Sequence, residues 1–172
     1  MTSLLGSLRS EEGKGVVRME DRLDAQVDDV WSAVTDPRRL AGWLGEVEGD
    51  LRPGGEFRAH FFASGWEGTG RIEVCEPPRR LLVVTRQPNA SEEQVIEVEL
   101  TADGDQTVLV WEEGGMPADL VAAYGAGIQV HIEDLAAYLA GGGRCDADAR
   151  FEELFPAYQE LSAGSPARSE AL

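Results

Sequence analysis

Pro117 to Gly143 reads PADLVAAYGAGIQVHIEDLAAYLAGGG, and this stretch decides the fold. Leu120, Val121, Tyr124, Ile128, Ile132, Leu135 and Leu139 recur at helical spacing, and Gly141-Gly142-Gly143 is a stop signal. The spacing predicts one long helix from about Pro117 to Ala140. At 1.5 Å per residue, roughly 23 residues reach about 34 Å, enough to cross a six-stranded sheet. Gly125 and Gly127 interrupt this helix at a cost of about 1 kcal/mol each against alanine, so each needs a reason: close packing, a bend, or room for a ligand.

Upstream of the helix, from Pro53 onward, the period is two rather than helical. Turn signals at Pro53-Gly54-Gly55, Ala63-Ser64-Gly65, Glu76-Pro77-Pro78, Pro88-Asn89 and Ala102-Asp103-Gly104-Asp105 mark off five strands. These run from about Glu56 to Phe62, Trp66 to Cys75, Arg80 to Arg86, Gln94 to Thr101 and Gln106 to Glu112, and their short connections favour an antiparallel meander. Phe57, Ala59 and Phe61 share one face, as do Ile96, Val98 and Leu100; Arg58, Glu97 and Glu99 fall on a wet face. Gly68 and Gly70, two apart within a strand, are read as the bend of a curved sheet.

Further upstream, Val16 to Leu23 is β-compatible, with Val17, Met19 and Leu23 on one face, and supplies strand one. Val27, Val30, Trp31 and Val34 then follow helical spacing, with Asp28 and Asp29 suited to the first turn. Asp36-Pro37 is an N-cap followed by proline at the first helical position, which begins a second short helix through Leu40, Trp43 and Leu44. Past the glycine stop, Phe151, Leu154, Phe155, Tyr158 and Leu161 share one face of a further helix, from about Ala147 to Leu161.

The fold class that emerges is α+β: a curved six-stranded antiparallel sheet wrapped around a long C-terminal helix, with two short helices after strand one and an extra short C-terminal helix. Residues 1–15 are expected to be a flexible leader, 16–143 the sheet-and-helix domain, 144–161 a C-terminal helical extension and 162–172 a flexible tail.

Composition narrows the classes of partner. A chain of 172 residues suits one core, and 42% hydrophobic with 27% charged residues is ordinary globular composition. The net charge of −17, from 32 acidic and 15 basic residues, repels a phosphate backbone and argues against nucleic acid. No apolar run approaches the roughly 18 to 20 residues needed to span a bilayer, and Met1 to Arg18 lacks a signal-peptide core. No membrane insertion and a cytoplasmic location are therefore expected. The two cysteines, Cys75 and Cys145, form neither a disulfide framework nor a zinc site and are read as free thiols.

Several local words accompany this order of elements: Val30-Trp31-Ser32-Ala33-Val34-Thr35-Asp36-Pro37, Trp43-Leu44-Gly45, Gly49-Asp50-Leu51-Arg52-Pro53-Gly54-Gly55 and Glu76-Pro77-Pro78-Arg79-Arg80-Leu81. As an ordered set they resemble the START-like, or birch-pollen-allergen-like, helix-grip superfamily, in the branch named after the activator of the heat-shock ATPase (AHSA-type, or SRPBCC). The resemblance covers about Val16 to Gly141. It implies a deep cavity between sheet and long helix, used across the superfamily for lipids, polyketides and other hydrophobic molecules. Some members found with antibiotic biosynthesis are similar to self-resistance proteins that sequester, or are cut by, a reactive natural product. Chaperone stimulation belongs to eukaryotic members with an additional domain. One departure is that relatives commonly carry Gly-Trp early in the long helix, where this chain has Gly127-Ile128.

The sequence offers no catalytic set. His60 falls on the wetter face of its strand, while His131, on the long helix, is read first as a satisfied polar group at the helix edge, then as a ligand hydrogen bond, and last as an acid-base group. Glu112-Glu113 is read as a solvated strand end, because adjacent strand residues point to opposite faces. No His-Glu-x-x-His metal motif, phosphate loop or Gly-x-Ser-x-Gly elbow is present. No metal or cofactor is expected.

Aromatic residues on elements facing the long helix give the candidate ligand-binding set: Trp43, Phe61, Trp66, Trp111 and Tyr124, joined by Ile128 and His131. Trp31 is assigned to core packing. The leading expectation is a protein that binds or sequesters a hydrophobic small molecule, in transport or antibiotic self-resistance. A polyketide cyclase or hydratase-like enzyme using His131 or Tyr124 is the alternative, and a protein-interaction or chaperone-stimulating module a third. The existence of a homo-oligomer is left open.

Overall fold

The computed structural model describes residues 4–164. Among these residues eight strands form one antiparallel sheet: β1 (Gly6–Glu11), β2 (Lys14–Leu23), β3 (Gly45–Gly49), β4 (Glu56–Phe61), β5 (Glu67–Glu76), β6 (Arg80–Arg86), β7 (Gln94–Asp103) and β8 (Gln106–Pro117). Their spatial order is β1-β2-β8-β7-β6-β5-β4-β3. Strands β4 to β8 form the expected meander, β3 extends it at the edge beside β4, and β2 returns to pair with β8, Met19 opposite Trp111. Helices α1 (Val27–Thr35) and α2 (Pro37–Trp43) connect β2 to β3, and α3 (Val121–Leu139) and α4 (Ala147–Gly164) follow the sheet.

The expected six strands are thus eight. One addition, β1, lies in the segment expected to be a flexible leader and pairs with β2 through a tight turn, with Glu12 and Gly13 at φ 51° and 82°. Ser7, Arg9, Ser10 and Glu11 give it no apolar alternation. Leu8 is its one buried apolar side chain, so the strand is specified by pairing rather than by pattern. The other addition, β3, is a five-residue edge strand rich in Gly and Glu, laid along β4. The tail expected from residue 162 begins inside α4, and residues 165–172 of it lie outside the described residues.

Register shifts mark the sheet at Gly15/Val16 and, in the same strand as Gly68 and Gly70, at Ile72/Val74. The glycines serve close approach: a Cβ on Gly70 would lie 2.5 Å from the Phe57 ring across the strand pair, and one on Gly68 would meet Arg86 O and the Trp66 ring.

Two local signals hold as expected. The Asp36 carboxylate accepts Arg38 N–H at 3.0 Å with Pro37 beginning α2. A 3-10 turn, Ala118–Leu120, precedes α3, which stops in a Schellman geometry: Gly141 has φ 88°, its N–H reaches Tyr138 O, and Gly142 N–H reaches Ala137 O.

The core fills the concave side of the sheet. Val17, Met19, Val98, Leu100 and Leu109 point inward from the strands to meet Ala126, Ile132 and Leu135 of α3. That helix is buried nearly all round, since α4 and β1 cover its far side. The cover is fastened by a polar cluster. Tyr158 Oη donates to Gln129 Oε1 at 2.5 Å and accepts Gly6 N–H at 3.1 Å, while Leu5 N–H also reaches Gln129 Oε1. Beside it Arg150 holds Glu133 through two nitrogens, each at 2.8 Å.

Candidate functional site

Between the open end of the sheet and α3 lies a cavity of about 470 Å³. Its floor is strand: Phe61 from β4, Thr85 from β6, Ile96 from β7, Trp111 and Glu113 from β8. Its roof is α3, through Tyr124, Gly127, Ile128 and His131, and the first turn of α4 closes one side with Phe151. Trp66, in the loop between β4 and β5, forms the opposite wall. A smaller apolar space of about 100 Å³ continues inward among Leu40, Trp43, Phe57, Val83 and Trp111. Two larger depressions, of about 640 and 560 Å³, lie on the outer face and are walled by exposed charges such as Glu48, Arg58 and Arg86. Those are open folds of a surface walled by charged side chains.

Phe61 organises the aromatic wall. Its ring stacks on Trp66 at 4.9 Å between centroids and meets the His131 ring edge-on at 5.4 Å. Of the seven residues singled out from the sequence, Phe61, Trp66, Trp111, Tyr124, Ile128 and His131 are brought together around this cavity. Trp43 is not among them: it lies fully buried at the inner apolar space, its Nε1–H donated to Ala33 O at 3.0 Å.

The two interrupting glycines have different reasons. A Cβ on Gly125 would sit 3.0 Å from Tyr158 and 3.2 Å from Leu8, so this glycine lets α4 and β1 close on the helix. A Cβ on Gly127 would meet nothing within 4 Å, because that side of the helix faces the cavity.

The polar groups correct two expectations. Glu113 is no solvated strand end; it is 8% exposed, on the same inward face of β8 as Leu109 and Trp111, and burial pushes its carboxyl up to about 7 despite a 3.3 Å hydrogen bond from Trp111 Nε1–H. His131 is no satisfied edge group. It is 4% exposed, its Nδ1 has no hydrogen-bond partner, and burial pulls its pKa down to about 4. Tyr124 Oη accepts Gln94 Nε2–H at 3.0 Å, and Gln94 Oε1 is buried without a partner. His60 lies on the outer face against the Phe62 ring, away from the cavity. The signal that could have found Glu113 is its spacing of two from Trp111 along one strand.

Among the described residues no cluster of three or more His, Cys, Asp or Glu is placed to hold a metal ion. No helix among the described residues is long and apolar enough to cross a membrane. Cys75 and Cys145 are both free.

Residues 24–140 match the family described as activator of Hsp90 ATPase homolog 1-like protein. The chain belongs to that family. Among solved structures, this member is similar to CalU16 from Micromonospora echinospora, with 30% identity, a TM-score of 0.76, and coverage of 91% of this chain and 95% of that one. It is also similar to DynU16, from the dynemicin biosynthetic locus, with 32% identity and a TM-score of 0.69, covering 76% of this chain and 50% of that one. A protein from Bordetella parapertussis shares the fold at 23% identity and a TM-score of 0.69, with 92% and 94% of the two chains covered. No curated protein matches this chain.

Proposed function

We propose that this chain binds and sequesters a hydrophobic small molecule in the cavity between sheet and α3, in natural-product transport or self-protection. The observation that carries the reading is the cavity itself: about 470 Å³, walled by Phe61, Trp66, Trp111 and Tyr124, with Gly127 leaving the roof open. Concave apolar sites of this size, with a few placed polar groups, are where small molecules bury most of their surface. Similarity to a protein of the dynemicin biosynthetic locus supports the natural-product setting. The test is a lipid and metabolite extraction followed by calorimetric titration of the hits against the parent and Gly127→Phe. Binding by the parent that drops at least about tenfold when the new ring occupies the roof supports the reading. A folded parent that takes up no apolar compound rejects it.

One observation favours a second reading, a cyclase or hydratase-like enzyme. Glu113 and His131 line one cavity with pKa values pushed in opposite directions, to about 7 and about 4, as acid-base sites often arrange. A bound compound recovered chemically unchanged by the parent, and equally by Glu113→Gln, rejects that reading and leaves sequestration.

A further inference from the structure

The cavity wall holds a buried charge-bearing group, Glu113, that no cation of the described residues answers. Glu113 is 8% exposed, and its one hydrogen bond, from Trp111 Nε1–H at 3.3 Å, is long. No cation of the described residues acts on it. Its neighbours on the outer face are treated differently: Glu112 has Arg9 at 3.1 Å, Glu97 has Arg80 at 2.6 Å, and Glu93 has Arg71 at 2.7 Å. The cavity lining contains no Lys or Arg, and Asp148 adds a second carboxylate at its rim. Burial keeps His131 neutral at pH 7, with a pKa near 4, so it supplies no positive charge either.

A buried carboxylate without a cation is costly, and a bound group that brings positive charge and N–H donors removes that cost. The aromatic rings of Trp66, Trp111 and Phe61 line the same cavity, and aromatic rings attract cations. Above pH 7, where Glu113 is mostly ionised, a ligand carboxylate or phosphate would meet it as a like charge. We propose that the ligand of this cavity is a cationic amphiphile, an apolar body carrying a protonated amine seated against the Glu113 carboxylate. The inference rests on the binding reading above and narrows its ligand class, setting aside fatty acids and anionic lipids.

The test uses three probes with one apolar body, pyrenemethylamine, pyrenemethanol and pyrenecarboxylic acid, titrated by fluorescence into the full chain. Roughly 0.15 M salt screens the acidic exterior. The amine is expected to bind about tenfold or more tighter than the alcohol, and the acid more weakly than either. In the isosteric variant Glu113→Gln the amine's advantage over the alcohol is lost. In Glu112→Gln, which alters the outer face of the same strand, the advantage persists. An alcohol that matches the amine, or an advantage that survives Glu113→Gln or disappears in Glu112→Gln, overturns the inference and leaves the binding reading standing. No binding by any probe overturns the binding reading as well.

Discussion

At the scale of single residues, Glu113 and His131 give the stability of this fold two opposed responses to pH. Burial raises the Glu113 pKa from 4.5 to about 7. Between those values the folded state holds the proton that the unfolded chain has lost, so this group withdraws stability as pH rises. His131 is lowered by burial from 6.5 to about 4. In that window the unfolded chain binds the proton and the folded state does not, so this group withdraws stability as pH falls. The two offset each other in the parent, and each emerges when the other is removed. Glu113→Gln should match the parent in denaturant titrations below pH 4.5 and exceed it by up to roughly 3 kcal/mol above pH 7. A gap that does not change with pH would contradict the assignment. The His131 imidazole resonances should titrate near pH 4; a midpoint near 6.5 would place the ring in water. The burial of His131 is not legible from the local sequence, and Glu113 is legible only in its spacing of two from Trp111: Glu112-Glu113 before two glycines has the look of a strand end, yet alternation along β8 puts Glu113 on the inward face.

At the scale of elements, periodicity located α1 to α4 and six strands because apolar side chains there face the core at regular spacing. It could not find β1, whose only buried apolar side chain is Leu8, nor β3, whose inward positions are two glycines and Val47. These strands exist through backbone pairing to β2 and β4, which a linear pattern does not record. In α3 the interruptions were legible as glycines that needed a reason, and the structure supplies one for each. Gly127→Ala adds a methyl to open space and should stabilise the protein by about 0.5 to 1 kcal/mol through helix propensity. Gly125→Ala must displace the fully buried Tyr158 ring and should lose that gain or destabilise. Equal effects in thermal unfolding would refute the division of roles. Tyr158→Phe leaves the Gly6 N–H without its acceptor at the seam of β1, α3 and α4, and a loss of about 1 to 3 kcal/mol is expected. A loss under about 0.5 kcal/mol in denaturant titration would show that the hydroxyl does not fasten the seam.

At the scale of the whole molecule, the sheet closed by one long helix leaves its larger interior space where glycine opens the roof and the floor is aromatic. That place is set by Gly127 and Ile128 above Phe61 and Trp111. Its aromatic members were legible because they sit on elements that face the long helix. Trp43 is set apart from them because α2 buries it at the inner apolar space, its indole N–H bonded to Ala33 O. The central claim is that the cavity, and not the charged outer face, receives an apolar molecule. Two-dimensional amide and indole NMR during titration with pyrenemethanol tests it most directly. The indole N–H signals of Trp66 and Trp111 and the amides of Tyr124 to Ile128 should shift together, with Trp31 unmoved. Shifts confined to Arg58, Glu67 and Arg86 on the outer face, or no saturable shifts at all, would contradict it.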